Sequence, residues 1–434
     1  MQKKVILIGA GSAMFTWGLL SDIIRDQSLG PWEIGLVDVD PEALAVAYNL
    51  AKKMIDEKDA DVMIKRSTDR RDLLRNADVV ITTIGVGGRE GYKKDVFISR
   101  RYGIYHPVGD TVGPAGISRA MRMIPAMKEI AEDILELCPN TLFINYANPM
   151  TVICRALRKS TGIKVIGLCI GVYLTEAYLA KLLKVPHQEV TSIAVGVNHL
   201  TFLIDFRHKG ENAYPKLRQQ VKETGKINEN PFSWSLFDAY GAYPAVNDRH
   251  VTEFFLERFP NGKYYGKTLG LDVISFEKLL LELGDRLYAE MAELSKPGVS
   301  LGSDSFSKFI GEHRQTIEII TSIYKDQRKI FSANLPNDGA IPNLPSYAVL
   351  EMPAVATGVG FCPLHISHFP DSLAAIINER LTCVELTVEA AFKGDRKIMV
   401  EAILADGAVR NRSIAEKLTD ELLKAHKEFL PQFL

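Results

Sequence analysis

The segment KVILIGAGSAMF, residues 4–15, decides the predicted fold of this chain. Apolar residues 5–8 have the composition of a buried strand, and residues 15–24 have the periodicity of an amphipathic helix. A glycine turn between such a strand and helix lets the backbone approach a pyrophosphate at the positive end of the helix. The third glycine of the usual pattern is missing, and the same turn also occurs in plain strand-to-helix connections. The predicted dinucleotide-binding residues of this turn are Gly9, Gly11, Ser12, Ala13, Met14 and Phe15.

A carboxylate and a second glycine-rich segment strengthen this prediction. The second predicted strand leads directly into Asp38, where a carboxylate can accept hydrogen bonds from the ribose of NAD. The same carboxylate disfavours the 2′-phosphate of NADP, although an arginine nearby could still accommodate one. Thr83 and Gly85 lie at the end of the third predicted strand. They are predicted to border the crevice in which the dinucleotide would bind, although a glycine-rich segment of this kind is equally compatible with a flexible turn.

Short apolar runs alternate with amphipathic stretches throughout the first half of the chain. Strands are predicted at residues 4–8, 33–37, 79–83, 142–146 and 164–168, with helices at 41–56 and 117–137. This alternation is typical of a Rossmann-type, doubly wound parallel sheet, here predicted as a domain of residues 1–190. A strand-like run at 192–206 and helical stretches at 275–294, 372–392 and 414–429 follow. They predict a helix-rich α/β second domain over residues 191–434.

Composition narrows the class of partner. The 434 residues contain 52 Lys+Arg against 53 Asp+Glu, and this balance argues against binding to nucleic acid or to an anionic membrane. No apolar run approaches the ~20 residues that span a bilayer, and the first apolar run is too short for a secretion signal. We therefore expect a cytoplasmic protein with a small-molecule partner. The 5 cysteines show no zinc or disulfide spacing, so at least one thiol is expected to be free.

Two metal-binding side chains follow predicted strands. Cys169 comes directly after the strand at 164–168, and His199 ends another strand-like run. A thiolate and an imidazole at the carboxyl ends of strands could hold a divalent metal and leave positions open for substrate oxygens. From the spacing alone, purely structural roles for the two residues are favoured over metal binding. A lone buried cysteine is most often a small hydrophobe, and a lone histidine is more often hydrogen-bonded than ligating.

Several longer segments together carry a family resemblance. They are the turn at residues 9–16, GDTVGPAG at 109–116, NYANPM at 145–150, GLC at 167–169, GVNH at 196–199, NLP at 343–345, VLEMP at 349–353, and 381–396. In this order the chain resembles glycoside hydrolase family 4, whose fold is similar to that of lactate and malate dehydrogenases. The resemblance covers nearly the whole chain.

The resemblance implies a glycosidase that uses NAD and a divalent metal rather than two carboxylates. In the implied reaction, NAD+ takes hydride from sugar C3 and a base then removes the C2 proton. Elimination expels the aglycone. Water then adds to the sugar, and NADH returns the hydride. Cys169 and His199 are implied to hold the metal, which the family indicates is Mn2+, whereas a thiolate ligand also suits Co2+, Fe2+ or zinc. Asn148 and Asn198 lie in the matching segments and are predicted to bind substrate.

The reaction also requires a base for the C2 proton and an acid for the leaving group. The resemblance implies that the base is a tyrosine in the second domain. The matching segment here is residues 237–244, in which we prefer Tyr243 to Tyr240. In α-glucosidases of the family an acid follows the metal cysteine, but here the residue is Ile170, which cannot donate a proton. Leaving-group protonation is therefore assigned to Asp110 or to a water that Asp110 holds.

The substrate is predicted to be an unphosphorylated α-linked sugar, because no basic cluster accompanies the site motifs. Arg249 and His250 are candidates for binding substrate oxygens, and Arg249 could pair with the C6 carboxylate of a galacturonide or glucuronide. An α-galactoside or α-glucoside is nearly as compatible. The neighbouring Asp248 could instead cap a helix.

Two other classes of function fit parts of the pattern. A 2-hydroxy-acid dehydrogenase would release NADH stoichiometrically, and an NAD-binding redox sensor would use Cys169 as its reactive thiol. Family likeness also implies a homodimer or homotetramer.

Overall fold

The computed structural model describes residues 2–26, 28–302, 304–307 and 315–434. Its first part is a six-stranded parallel sheet with strands in the order β3-β2-β1-β4-β5-β6. The strands are β1 (Lys3–Ile8), β2 (Trp32–Val37), β3 (Val62–Ser67), β4 (Val79–Thr82), β5 (Leu142–Asn145) and β6 (Val165–Gly167). All five strands predicted in this region are present. The additional strand, β3, is not predicted because only its first three residues are apolar, and it lies partly exposed at the sheet edge.

Helices connect these strands. They are α1 (Thr16–Arg25), α2 (Pro41–Lys58), α3 (Arg71–Leu74), α4 (Gly88–Arg101), α5 (Gly113–Leu137), α6 (Met150–Thr161) and α7 (Gly171–Leu183). Helix α2 begins where the Asp40 side chain accepts the backbone N–H groups of Glu42 and Ala43. Helix α5 begins four residues before the predicted start, because Pro114 is tolerated in a first turn. The strand order and the crossover helices are those of a Rossmann-type sheet, as predicted.

The sheet continues into the second part of the chain with antiparallel strands. These are β7 (Val190–Val197), β8 (Leu200–His208), β9 (Glu211–Asn212), β10 (Tyr243–Ala245), β13 (Lys329–Pro336), β14 (Val349–Thr357) and β15 (Gly360–Pro363). Strand β13 pairs with β6, with Asn334 opposite Gly167, and the order continues β14-β7-β8-β10. A separate small hairpin is formed by β11 (Lys263–Tyr264) and β12 (Lys267–Thr268).

The run at residues 192–206 is two strands rather than one. Strands β7 and β8 pair antiparallel and reverse at Asn198 and His199. His199 adopts a φ of +70°, which is the left-handed conformation that a tight reversal requires. Because both strands are apolar, composition alone does not reveal the reversal.

The remaining helices cover the second part of the chain. They are α8 (Tyr214–Thr224), α9 (Pro231–Tyr240), α10 (Asp248–Val251), α11 (Leu283–Leu294), α12 (Thr316–Tyr324), α13 (Asp371–Lys393), α14 (Arg396–Asp406) and α15 (Arg412–Ala425). Helix α13 packs against α5, α6 and α14. The predicted helix-rich α/β character of this part is therefore observed, together with its antiparallel strands. Among the described residues, no helix is both long and apolar enough to cross a bilayer.

Candidate active site

A crevice forms where the strand order of the parallel sheet reverses. Strand β1 pairs with β2 on one side and with β4 on the other, so the segments that follow β1 and β4 diverge from adjacent strands. In open α/β sheets this switch point is where ligands bind. The predicted nucleotide-binding residues of the two segments therefore come together, as residues 9–15 on one side and Thr83 and Gly85 on the other.

Neither glycine of the first turn leaves room for a side chain. Gly9 has a φ of +96°, and a Cβ there would lie 2.8 Å from the Ile84 nitrogen. A Cβ on Gly11 would lie 2.8 Å from the Cβ of Ala43. The Thr83 hydroxyl donates to the Gly9 carbonyl at 2.9 Å and ties the two edges of the crevice together.

The turn then leads to the first turn of α1. Residues 11–13 and Phe15 are half-buried, and Met14 is exposed. Phe15 occupies the position before the helix and offers no side-chain cap. An uncapped helix start beside a glycine turn suits an anionic group.

Asp38 is half-buried at the carboxyl end of β2. Its Oδ2 accepts the Gly11 N–H at 2.7 Å, and its Oδ1 accepts the Asp40 N–H at 3.0 Å. Each carboxylate oxygen retains a further lone pair, because an ionised carboxylate has about four acceptor sites. The residue can therefore hold the turn and still accept from ribose hydroxyls.

Three side chains from distant parts of the sequence form a cluster of possible metal ligands. Asp110, His199 and His250 each offer a ligand atom, and these atoms lie within 4.8 Å of one another. The two imidazole rings are 3.8 Å apart between centroids. Carboxylate and imidazole donors at this separation suit a divalent cation such as Mn2+. Among the described ranges this is the one such group of three or more side chains.

The hydrogen bonds of Thr111 orient the cluster. Its hydroxyl donates to Asp110 Oδ1 at 2.6 Å and lies 2.8 Å from His199 Nδ1. Because its single hydrogen is committed to the carboxylate, Nδ1 of His199 must be the donor in the second contact. The Nε2 lone pair of His199 is then free for a metal, which is the usual arrangement of a ligating histidine.

Burial keeps both imidazoles neutral. It lowers the pKa of His199 to about 4 and that of His250 well below its usual value. The positive charge of Arg249 acts in the same direction on both. Nδ1 of His250 is buried and has no hydrogen-bond partner in the described structure. Neutral imidazoles with unused lone pairs are the form that binds metal.

Glu253 positions the loop that carries Asp110, a role that sequence reasoning missed. Its Oε1 accepts the N–H groups of Val108 at 3.0 Å and Gly109 at 2.6 Å, and lies 3.2 Å from His106 Nδ1. Burial raises the pKa of Glu253, and His106 opposes this shift. The only signal in the sequence is that Glu253 follows His250 by three residues, about one helical turn.

The predicted substrate-binding asparagines lie next to the cluster. Asn148 precedes a cis proline bond, and its Nδ2 donates to Asp110 Oδ2 at 2.9 Å. The backbone N–H of Asn198 donates to the Thr151 hydroxyl at 3.1 Å.

Glu351 lies beneath the β7–β8 reversal and also escaped prediction as a site residue. It lies opposite Gly196 in the sheet, and its Oε2 accepts the Thr201 hydroxyl at 2.6 Å. Burial raises its pKa to about 7, while Thr201 and Asn198 oppose the shift. A lone carboxylate in an apolar strand carries no recognisable spacing, so the sequence indicates residues 349–353 only through the family resemblance.

The three-residue group that contains His199 includes Asp110 and His250. The Sγ of Cys169 accepts the Gly171 N–H at 3.3 Å, at the start of α7. No group of three ligand atoms that includes this sulfur forms within the described ranges. A metal-binding role for Cys169 stays a prediction.

Both candidate tyrosines pack against other aromatic rings. Tyr243 is fully buried 4.7 Å from the Trp234 ring, and its hydroxyl donates to Asn247 Oδ1 at 2.8 Å. Burial raises the pKa of Tyr243 well above its usual value. Tyr240 packs edge-on against Phe202 at 6.4 Å. The assignment of the base to either tyrosine stays a prediction.

The segment before His250 has two different roles. Arg249 is exposed beside the cluster. Asp248 is buried and accepts the N–H groups of Phe232 and Ser233, so it caps the start of α9 rather than the helix that follows it.

Comparisons with known proteins agree with this geometry. The family model described as family 4 glycosyl hydrolase matches residues 4–185, and that of the family 4 glycosyl hydrolase C-terminal domain matches residues 194–409. An α-galactosidase of Bacillus subtilis is 30% identical over 443 residues, covering 99% of this chain and 100% of the relative. An α-galacturonidase of the same species is 31% identical over 454 residues, covering 98% of this chain and 97% of the relative.

Solved structures confirm the fold. A 6-phospho-β-glucosidase of Thermotoga maritima superimposes with a TM-score of 0.83 at 22% identity, covering 98% of this chain and 99% of that one. The malate dehydrogenase of Cryptosporidium parvum has a TM-score of 0.54 at 16% identity, with coverage of 90% and 99%. These two likenesses show the architecture, and the family matches cover both halves of the sequence. The chain belongs to family 4 of the glycosyl hydrolases.

Proposed function

We propose that this glycosidase cleaves an unphosphorylated α-linked glycoside, with a preference for uronides, using NAD and a divalent cation such as Mn2+. The observation that carries the proposal is the cluster of Asp110, His199 and His250 close to a nucleotide crevice. Arg119 connects the two, because its Nε donates to the Asn148 carbonyl at 3.0 Å and its Nη2 lies near Gly85. Family 4 differs from two-carboxylate glycosidases in its dependence on NAD.

The residues present fit both groups. The glycine turn and Asp38 would hold the dinucleotide, since neither glycine leaves room for a side chain and the Asp38 carboxylate accepts the Gly11 N–H group. Asp110, His199 and His250 would hold the cation, because their donor types and separations suit it. When bound, NAD+ supplies a reversible hydride acceptor for sugar C3 and the metal stabilises the negative charge that develops on sugar oxygens.

The side chains around the cluster have positioning roles. Thr111 fixes the tautomer of His199, and Glu253 fixes the loop of Asp110. Both oxygens of Asp110 accept hydrogen bonds, which is the pattern of a ligand more than of a proton donor. We therefore assign leaving-group protonation to a water held at Asp110. Removal of the C2 proton stays assigned to Tyr243, with Tyr240 as the alternative.

The substrate preference rests on relatives and on one cation. Relatives named α-galacturonidase from Bacillus subtilis and Thermoanaerobacterium saccharolyticum are 31% and 30% identical to this chain. Exposed Arg249 lies beside the cluster and could pair with a C6 carboxylate. An α-galactosidase is the second candidate, because a relative with that name is 30% identical over nearly the whole chain.

A substrate panel tests this proposal. The protein is incubated with NAD+ and Mn2+ under reducing conditions, with nitrophenyl α- and β-linked hexosides, uronides and 6-phosphoglycosides. We expect aglycone release from α-uronides without net formation of NADH, and exchange of deuterium at C2. Stoichiometric NADH would instead indicate a dehydrogenase. Arg249→Ala is expected mainly to raise KM for galacturonides, and unchanged kinetics would remove the argument from this residue.

We further infer a cytoplasmic homodimer or homotetramer and a division into residues 1–190 and 191–434. Family membership supports these assignments. Light scattering of the purified protein would test the oligomer, and a monomer would contradict it.

A further inference from the structure

Arg119 is a half-buried arginine on α5 that faces the site from the side of the nucleotide crevice. Its Nε donates to the Asn148 carbonyl at 3.0 Å, and its guanidinium lies 5.0 Å from the centroid of the Tyr92 ring. Tyr92 is itself held, because its hydroxyl donates to the Val108 carbonyl at 2.7 Å. Two anchors therefore hold the guanidinium in one orientation.

The terminal nitrogens of Arg119 have no anionic partner within the part of the chain that the structure describes. Arg122, one turn further along α5, shows the contrast: it is fully buried, and its Nη1 donates to Asp95 at 3.0 Å. On Arg119, by contrast, Nη2 is directed toward Gly85, where a Cβ would lie 3.4 Å away. A fixed and unpaired fork of N–H donors is suited to a planar carboxylate, which it can bind through two parallel hydrogen bonds.

We propose that Arg119 binds the C6 carboxylate of the uronide and thereby determines the preference for an acidic sugar. This inference rests on the proposed function and names a second cation for the same substrate group. Asn148 connects Arg119 to the cluster, because its Nδ2 donates to Asp110 and its carbonyl accepts from Arg119. One asparagine thus separates the guanidinium from a candidate metal ligand, a span that a single sugar ring can bridge.

The other anionic group available to Arg119 is the pyrophosphate of the cofactor. The glycine turn at residues 9–15 and the start of α1 already provide a pyrophosphate site. Arg119 is anchored instead to Asn148 and Tyr92, which belong to the side of the crevice that carries Asp110. Arg249 acts on the same side, since both arginines lower the pKa of Tyr92 against the larger effect of burial. With the pyrophosphate site supplied by the glycine turn, the guanidinium held by Asn148 and Tyr92 is available to a substrate carboxylate.

The test compares Arg119→Gln and Arg119→Lys with wild type. Glutamine keeps an N–H donor for the Asn148 carbonyl and removes the charge, and lysine keeps the charge without the planar fork. Arg328→Gln is the control for net charge, because Arg328 is exposed and pairs with Asp326 at 3.0 Å away from the site. Three quantities are measured: kcat/KM for nitrophenyl α-galacturonide and α-galactoside, the affinity for galacturonate and galactose by calorimetry with NAD+ present, and the affinity for NAD+.

We expect Arg119→Gln to lose at least about tenfold in galacturonide kcat/KM and in galacturonate affinity. Galactoside kinetics and NAD+ affinity should change less than about threefold, and Arg328→Gln should resemble wild type. Equal losses for both sugars would overturn the inference, as would a loss confined to NAD+ affinity, which would assign the arginine to the cofactor. If Arg119→Gln fails to fold, wild-type galacturonate affinity in Arg119→Lys would overturn the bidentate contact. Wild type that binds galacturonate but cleaves no glycoside would contradict the proposed function alone.

Discussion

His199 links the backbone to the chemistry of this site. Its φ of +70° reverses the chain between β7 and β8, and the reversal directs its imidazole toward Thr111 and His250. A β-branched residue would be strained at this position, so the requirement for a ligand and the requirement for a turn are met by one residue. The neighbouring hydroxyl of Thr111 then sets which ring nitrogen is available.

The role of His250 gives the first testable prediction. His250→Ala removes one of three ligand atoms, and we expect it to weaken Mn2+ binding by at least about tenfold. Titration of the metal followed by electron paramagnetic resonance measures the affinity without catalysis. Cys138→Ala is the matched comparison, because it removes a buried thiol at the end of α5 that has no predicted role in the site. Unchanged affinity in His250→Ala would contradict the three-residue site.

Glu351 makes stability depend on pH. Folding raises its pKa from 4.5 to about 7 because the carboxyl is buried. The folded state therefore holds this proton more tightly, and the stability it contributes is present below about pH 4.5 and lost as the pH rises through 7. Relative to Glu351→Gln, the unfolding free energy of wild type is expected to fall by about 3 kcal/mol across this window. Urea denaturation of metal-free protein at several pH values measures the difference, and a constant difference would be evidence against this carboxyl as the cause.

The 3-10 segment Thr252–Arg258 shows how one element organises another. It follows α10 directly, so His250 and Glu253 move as a unit. Glu253 in turn holds the loop at 106–110 through two backbone N–H groups. Glu253 thus links the element that carries His250 to the loop that carries Asp110.

Glu253→Gln tests this coupling between elements. The amide keeps one acceptor oxygen but loses charge-assisted bonds, so a loss of about 1.5–3 kcal/mol in stability is expected. Because the Asp110 loop loosens, Mn2+ affinity should fall as well. Glu257→Gln is the control, since Glu257 lies in the same segment and accepts neither loop N–H group. Loss of stability without any change in Mn2+ affinity would show that Glu253 supports the fold only.

At the scale of the whole molecule, one sheet joins both parts of the chain through the pairing of β6 with β13. A buried charge network provides a second connection. Asp95 on α4 contacts Arg122 and Ser118 on α5, and His426 after α15 lies 2.8 Å from its Oδ1. Arg122 also donates to the Val86 carbonyl beside the nucleotide crevice. His426 is thereby connected to the segment beside the predicted nucleotide crevice.

Asp95→Asn tests the value of this network. It leaves the fully buried Arg122 without its carboxylate, and breaking such a pair is expected to cost about 3–5 kcal/mol. The change in unfolding free energy is measured by urea denaturation. Asp420→Asn, which removes a partly exposed pair with Arg396, should cost less than about 1 kcal/mol. Equal costs for the two variants would refute the network's importance.

The sequence by itself determined the features that depend on neighbouring residues. The glycine turn after β1, the alternation of strands and helices, and the motifs of family 4 are all local patterns, and each is confirmed. The periodicity of apolar residues reports which face of an element is buried, so it can be read along the chain. It could not show that residues 192–206 reverse in the middle, because both strands are apolar.

Only the tertiary structure decided which side chains meet. Thr111 and His199 are 88 residues apart, and Glu253 is 144 residues from the loop it holds. Asp110 and His250 are predicted from the sequence as an acid and a substrate contact, and the structure places both beside His199 in a group that could hold a metal ion. Such convergence depends on how packed elements place distant residues, and no local spacing encodes it.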